Sequence, residues 1–219
     1  MNFRSNDKIV FIGDSITDKG RKTDPLKLGG GYVRLLHDYF ATNCPELNLT
    51  VINEGTSGNR VTDLQKRWTL DVLDHQPDWL SVSIGINDVW RQLDSPDAEQ
   101  VLPDRFEAVY RELLRQVKEK CDSRLILMQP TIIKEIPDST GNRMLQPYVA
   151  IVDRLAAEFG AVLVPTHEAF ISFLRRGTGK ALTTDGVHMT TLGDMLMATT
   201  WLNTMQEAGA KAAALVSRG

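Results

Sequence analysis

The protein has 219 residues, of which 42% are hydrophobic and 24% charged, and its formal net charge at pH 7 is -3. A chain of this length and composition fits an ordinary globular α/β protein, so we expect a single domain over residues 1–219. The small negative charge and the lack of a long Lys/Arg run argue against nucleic-acid binding. The nearest candidate, residues 175–180, is better explained as a solvated helix end.

No apolar segment is long enough to span a bilayer, and we expect no membrane partner. The polar residues 1–7 and the short apolar run 9–12 do not resemble a signal peptide, which predicts a cytoplasmic protein. Cys44 and Cys121 are too few for a disulfide framework and lack metal-site spacing, so they are interpreted as free thiols.

Five short apolar runs rich in β-forming residues are predicted to be strands: residues 8–12, 49–53, 79–84, 124–128 and 161–164. Continuous apolar runs of this kind are typical of strands that are buried on both faces. Apolar residues at helical spacing lie between them, over residues 32–40, 106–117, 149–159 and 191–208. Strands that alternate with helices predict a parallel sheet covered by helices on both faces.

Residues 131–146 form the longest predicted loop, interrupted by Pro137 and Gly141. Loops of this length are more often functional or mobile than idle. In a parallel sheet of this type, ligands bind beyond the carboxyl ends of the strands. Residues with a chemical role are therefore expected directly after the predicted strands.

Gly13, Asp14 and Ser15 directly follow the first predicted strand. These residue types are common in ordinary strand-to-helix turns. A serine at this point would also lie at the ligand-binding edge of the sheet. The tripeptide by itself does not distinguish a simple turn from a nucleophile.

Two further turns follow the second and third predicted strands. Gly58 lies in the turn 55–59, and glycine allows the main chain to approach a ligand closely. Asn87 lies in the turn 85–88, and its neutral amide is suited to donate to a developing oxyanion. By itself, Gly58 is explained better by an ordinary flexible turn, whereas a helix cap explains Asn87 as well as an oxyanion donor does. Asp88 is expected to be a cap or an orienting residue.

Asp185 and His188 lie just before the last predicted helix, separated by a short turn that contains Gly186. Such a turn brings the carboxylate to one nitrogen of the imidazole and leaves the other free to deprotonate a serine. Together with the three earlier motifs, this pair completes the set of groups needed for acyl transfer. The combination indicates a serine esterase with Ser15 as nucleophile.

These four motifs, centred on Ser15, Gly58, Asn87 and His188, resemble the blocks of the SGNH (GDSL-type) hydrolase superfamily. The resemblance extends from residue 9 to residue 188. It implies a three-layer α/β/α, flavodoxin-like sandwich with a five-stranded parallel sheet and a triad of Ser15, His188 and Asp185. It also implies an oxyanion hole made by the N–H groups of Ser15 and Gly58 and the Asn87 amide. Neither a metal nor another cofactor is implied.

The runs 13–18 and 85–90 are similar to those of bacterial acetylxylan esterases and related carbohydrate acetylesterases. This narrower resemblance implies hydrolysis of short acyl esters, above all acetyl esters on xylan-type oligosaccharides. No large apolar lid is apparent in the sequence, which also favours a small acyl group. Candidate substrate contacts are Asp14, Trp90 and Arg91. Trp90 could instead serve packing, and Arg91 could pair with a carboxylate.

The sequence leaves room for other functions. The nearest is a broad short-chain acylesterase or thioesterase without carbohydrate preference. A non-catalytic binding module is disfavoured by the complete set of Ser15, Asp185 and His188. The glycine-rich runs 29–31 and 177–180 do not match phosphate-binding loops, and the remaining histidines lack zinc-ligand spacing. Trp68 and Trp201 could belong to the interface of a homo-oligomer or to the core.

Overall fold

The computed structural model of the protein describes the backbone of residues 1–216 and the side chains of residues 1–214. Its five strands are β1 (Lys8–Gly13), β2 (Thr50–Gly55), β3 (Trp79–Ser83), β4 (Arg124–Met128) and β5 (Val162–Val164). All pairings are parallel, and the order across the sheet is β2-β1-β3-β4-β5. This is the strand order of flavodoxin-like folds. The five predicted strands are confirmed, with ends shifted by one or two residues.

Eight α-helices accompany the sheet within the part of the chain that the structure describes. They are α1 (Ser15–Asp18), α2 (Tyr32–Asn43), α3 (Val61–Trp68), α4 (Ile86–Asp94), α5 (Pro103–Lys120), α6 (Thr140–Phe159), α7 (Thr166–Arg175) and α8 (Thr191–Val216). A 3-10 turn (Pro45–Leu47) follows α2, and a π-helical turn (Thr69–Leu73) follows α3.

The helices form two layers, one on each face of the sheet. Helices α2 and α7 pack against α8, while α5 packs against both α3 and α6. Because both faces are covered, the residues of β1 from Ile9 to Ile12 have no exposed surface at all. The predicted three-layer α/β/α sandwich is therefore confirmed.

The predicted loop over residues 131–146 is wrong in its second half. It ends at Ser139, whose hydroxyl accepts a hydrogen bond from the Asn142 N–H at 3.1 Å and caps the start of α6. Gly141 lies in the first turn of this helix and packs against Ile133, where an added Cβ would lie 2.4 Å from the Ile133 Cγ2 atom. Gly141 thus allows close packing against Ile133 and does not break the helix.

Trp68 and Trp201, the candidates for a subunit interface, both belong to the core. Trp68 and Trp201 are 1% and 0% exposed. The Trp201 Nε1–H donates to the Ser81 hydroxyl of β3 at 3.2 Å, which joins α8 to the sheet. Neither residue supports an oligomer, which stays a prediction. No helix among residues 1–216 is long and apolar enough to cross a membrane.

Candidate active site

The turns that follow β1, β2 and β3 begin side by side at one edge of the sheet. Gly13 at the end of β1 is in register with Gly55 of β2 and Ser83 of β3. The three sequence motifs after these strands therefore start from adjacent positions, as expected for the carboxyl edge of a parallel sheet. Asp185 and His188 reach the same edge from the loop that precedes α8.

Ser15 is the first residue of the short helix α1. The Asp14 side chain caps this helix, since its Oδ1 atom accepts from the Ile16 N–H at 2.9 Å. The Ser15 hydroxyl is half-buried and lies 2.9 Å from the Nε2 atom of His188. These two residues are 173 positions apart in the chain, so only the fold brings them together.

The other nitrogen of His188 contacts a carboxylate. Its Nδ1 atom lies 2.6 Å from Asp185 Oδ2, while Asp185 Oδ1 accepts from the N–H groups of Val187 and His188 at 3.0 and 2.8 Å. Desolvation raises the pKa of Asp185, but these hydrogen bonds outweigh it and lower the pKa to about 2. The carboxylate is therefore ionised at neutral pH and can hold the imidazole in the tautomer that accepts a proton at Nε2.

Gly58 lies in the turn that follows β2, whereas Asn87, predicted to lie in a turn, is the second residue of helix α4 after β3. Gly58 has a φ of +81°, in the left-handed region that side chains disfavour. The Asn87 side chain is 2% exposed, and its Nδ2 atom donates to the Asn59 carbonyl at 3.1 Å. An amide nitrogen carries two hydrogens, which leaves a second one for an acceptor in the site. This arrangement can stabilise an oxyanion, the role predicted for both residues.

Arg67 of α3 connects these turns, and sequence reasoning missed it. Its guanidinium donates to the Gly13 carbonyl at 3.0 Å, to the Glu54 carbonyl at 2.7 Å and to the Asn59 side-chain oxygen at 2.7 Å. An ion pair with Asp71, one helical turn further on, holds the guanidinium in place. The planar fork of arginine can satisfy acceptors on several loops at once. Along the sequence, Arg67 is only one more charge on an amphipathic helix.

The predicted substrate contacts differ in how accessible they are. The Trp90 ring is half-buried and meets the His188 ring edge-on, with 5.6 Å between centroids. The Arg91 guanidinium pairs with Asp94 at 2.7 Å and lies 5.8 Å from the centre of the Trp90 ring. Asp14 is only 2% exposed. Its contact with substrate remains a prediction, and its burial argues against it.

Asp88 lies beneath this edge with no exposed surface and accepts from the Val61 N–H at 3.2 Å. Burial raises its pKa to about 8. Through its hydrogen bond with Val61, the Asp88 side chain orients the start of α3, which is the role expected for it. No group of three or more His, Cys, Asp or Glu side chains among residues 1–214 is placed to hold a metal ion.

The chain is similar in sequence to proteins of known activity. The profile of the GDSL-like Lipase/Acylhydrolase family matches residues 11–196. An acetylxylan esterase of Geobacillus stearothermophilus is 38% identical over 209 residues, which cover 92% of this chain and 95% of that protein. Thioesterase 1/protease 1/lysophospholipase L1 of Escherichia coli is 27% identical over 159 residues, covering 73% and 66%.

Solved structures with the same fold include the following two. The crystal structure of Axe2, an acetylxylan esterase from Geobacillus stearothermophilus, superposes with a TM-score of 0.87 at 38% identity and covers 93% of this chain and 96% of that one. The crystal structure of LAE5, described as an alpha/beta hydrolase enzyme from the metagenome of Lake Arreo, gives a TM-score of 0.86 at 33% identity, covering 92% and 96%.

Proposed function

This chain belongs to the GDSL-like lipase/acylhydrolase family and is a carboxylic ester hydrolase, and we propose that it removes acetyl groups from xylan-type oligosaccharides. The observation that carries the proposal is the hydrogen-bonded series of Ser15, His188 and Asp185, with contacts of 2.9 and 2.6 Å. The acetyl group and the sugar are inferred from the acetylxylan esterase of Geobacillus stearothermophilus, which is similar over nearly the whole chain.

The proposed reaction has two steps. His188 Nε2 takes the proton of Ser15 as the serine oxygen attacks the ester carbonyl, and Asp185 stabilises the resulting imidazolium. The tetrahedral oxyanion accepts hydrogen bonds from the N–H groups of Ser15 and Gly58 and from the Asn87 amide. The proton on His188 then passes to the alcohol oxygen as the carbon–oxygen bond breaks. A water molecule, deprotonated by the same His188, hydrolyses the acyl-enzyme and restores the serine.

A groove lined in part by Trp90, whose ring contacts His188, supports a sugar as the leaving alcohol. It has a volume of about 540 Å³, within the usual range for binding sites of small molecules. Its lining residues are Trp90, Leu93, Asp94, Lys134, Ile136, Ser139, Thr140 and Gly141. His188 must protonate the leaving oxygen, so the alcohol passes close to the imidazole and to the Trp90 ring that contacts it.

The chemistry of the groove suits a pyranose. A sugar ring presents an apolar C–H face and a rim of hydroxyl groups, which match an aromatic ring and polar side chains respectively. Leu93 and Ile136 add apolar surface, with 41% and 61% of each side chain exposed, while Asp94 and Thr140 offer hydrogen-bonding groups. The groove therefore combines the two kinds of surface that bind carbohydrate.

The nucleophile is tested with Ser15→Ala. We expect this variant to release no acetate from acetylated xylo-oligosaccharides and to keep the unfolding transition of the wild type. Ser172→Ala, an exposed serine on α7, is the matched control and should keep full activity. Acetate release by Ser15→Ala, or wild-type inactivity on every ester tried, would contradict the proposed mechanism.

Substrate class is tested by comparing kcat/KM on acetylated xylo-oligosaccharide with that on 4-nitrophenyl esters of increasing chain length. Activity that rises beyond the butyryl ester would indicate a broad acylesterase instead of an acetylesterase. Leu93→Ser and Ile136→Ser should lower kcat/KM for the oligosaccharide and leave 4-nitrophenyl acetate unaffected. Leu70→Ser changes an exposed leucine outside the groove and should alter neither. Equal effects on both substrates would contradict the proposal that the groove binds the sugar.

A further inference from the structure

One carboxylate oxygen holds the start of the loop that carries Asp185 and His188. Glu135 Oε1 accepts from the N–H of Leu182 at 2.8 Å, from the N–H of Thr183 at 2.5 Å and from the Thr183 hydroxyl at 2.6 Å. Glu135 itself lies in the segment 131–139 between β4 and α6. The contacts span 47 or 48 positions of the chain, so this is a tertiary link and not a local turn.

The residues held by Glu135 form the base of that loop. Thr183 pairs with Met189 in an antiparallel bridge, and the Thr190 N–H donates to the Leu182 carbonyl at 2.8 Å. Above this base, the Thr184 N–H donates to the His188 carbonyl at 2.8 Å. A displacement of residues 182 and 183 is therefore passed directly to the backbone of His188.

The same segment also holds the tip of the loop. The Lys134 N–H donates to the Gly186 carbonyl at 2.7 Å. Gly186 has a φ of +94°, and an added Cβ there would lie 3.3 Å from the Lys134 Cα atom. Two consecutive residues, Lys134 and Glu135, thus bind the tip and the base of the loop from one side.

We propose that Glu135 is a positioning residue that keeps His188 in reach of both Ser15 and Asp185. The inference rests on the proposed catalytic role of His188. Hydrogen bonds to an ionised carboxylate are stronger than those between neutral groups, and three of them converge on one oxygen. Leu182 and Thr183 are 0% and 7% exposed, so their polar groups have little access to water as a substitute.

The test compares Glu135→Ala with Glu135→Gln in the full-length protein. Proton transfer depends steeply on geometry, so Glu135→Ala should lower kcat on 4-nitrophenyl acetate by about 10- to 100-fold with KM little changed. Glu135→Gln keeps a carbonyl oxygen in the place of Oε1 and should retain kcat within about threefold of the wild type. Asp138→Ala, an exposed carboxylate of the same segment, is the matched control and should behave as wild type.

A spectroscopic readout separates positioning from mere stability. A histidine Nδ1 proton bonded to a carboxylate gives a far-downfield proton resonance, which is assigned here by its loss in His188→Ala. The resonance should broaden or vanish in Glu135→Ala and persist in Glu135→Gln. Leu125→Ala removes buried packing at the amino end of β4 and serves as a destabilised control. It should lower the Tm but keep both kcat and the resonance.

The inference is overturned if Glu135→Ala keeps wild-type kcat, or if Leu125→Ala loses kcat in proportion to its loss of Tm. Should Glu135→Ala fail to fold, Thr183→Val removes one of the three donors and should give a smaller loss of kcat with the same spectroscopic change. An unchanged kcat and resonance in that variant would equally refute the role. Failure of the proposed function looks different, because the wild type would then be inactive on every ester or His188→Ala would be as active as the wild type.

Discussion

Asp14 carries a buried carboxyl group beside the nucleophile, and its titration makes a quantitative prediction. Burial raises its pKa from the ordinary value of 3.8 to about 7, against the opposing effects of the Ile16 N–H, the nearby His188 ring and the Arg67 guanidinium. The folded protein therefore takes up a proton at a higher pH than the unfolded chain does. The contribution of Asp14 to stability is complete below its unfolded pKa and is lost as pH rises through about 7.

Asp14→Asn removes this titration while keeping an oxygen that can accept from the Ile16 N–H. Each unit of difference between the folded and unfolded pKa is worth about 1.4 kcal/mol. The loss of stability that Asp14 causes in the wild type therefore grows by about 3 kcal/mol from pH ~5 to its plateau above pH ~7. Any cost of burying the asparagine NH₂ group is the same at both pH values. The stability of the variant relative to the wild type should therefore rise by about 3 kcal/mol over this range. Asp88 changes the result in the same direction. The charge of Asp14 raises the pKa of Asp88, so removing that charge also favours the variant at high pH.

The assay is urea unfolding of both proteins at about pH 5 and about pH 8.5, with the free energies of unfolding compared at each. Asp24→Asn is the control, because the N–H of Leu28 lowers the pKa of this half-buried carboxyl below its ordinary value. Asp24 is ionised in both the folded and unfolded states across this range, so its difference from wild type should not change. If the free energy of unfolding of Asp14→Asn relative to the wild type is also the same at both pH values, the raised pKa of Asp14 is refuted. An unchanged KM in that variant would remove Asp14 from the substrate contacts.

Three further substitutions test the candidate site. Asp185→Asn should lower kcat by up to about 10⁴-fold by favouring the wrong tautomer of His188, measured on 4-nitrophenyl acetate; a loss below about tenfold would contradict this role. Asn87→Ala should lower kcat by about 10²- to 10³-fold with KM little changed, and a change confined to KM would count against an oxyanion donor. Arg67→Lys cannot bind all four acceptors of the guanidinium, so it should lower both kcat and the free energy of unfolding, the latter by about 1–3 kcal/mol. Wild-type values for both would exclude Arg67 as a link between the turns.

The strands and the order of the site motifs could be predicted from the sequence because their signals are local. The run from Ile9 to Ile12 is apolar at every position, which is typical of a strand that is buried on both faces of a sheet. The glycine, serine and asparagine after the strands could be assigned to one edge because parallel strands all end there. Gly186 likewise indicated a tight turn between Asp185 and His188.

The start of α6 could not be predicted, because Gly141 disfavours a helix when judged by its neighbours in the chain alone. Position 141 requires a glycine because the Ile133 side chain leaves no space for a Cβ. Arg67 and Glu135 were missed for a related reason. Each is an ordinary charged residue by local pattern, and its partners are backbone groups whose positions depend on the whole fold.

The sequence by itself determined the fold class and the residue types available for chemistry, since periodicity and turn composition are encoded over a few neighbouring positions. Only the tertiary structure decided how those residues are held. The contact between Ser15 and His188 and the hydrogen bonds of Arg67 and Glu135 join segments far apart in the chain. Such contacts depend on how helices and loops pack against the sheet, and no local pattern contains that information.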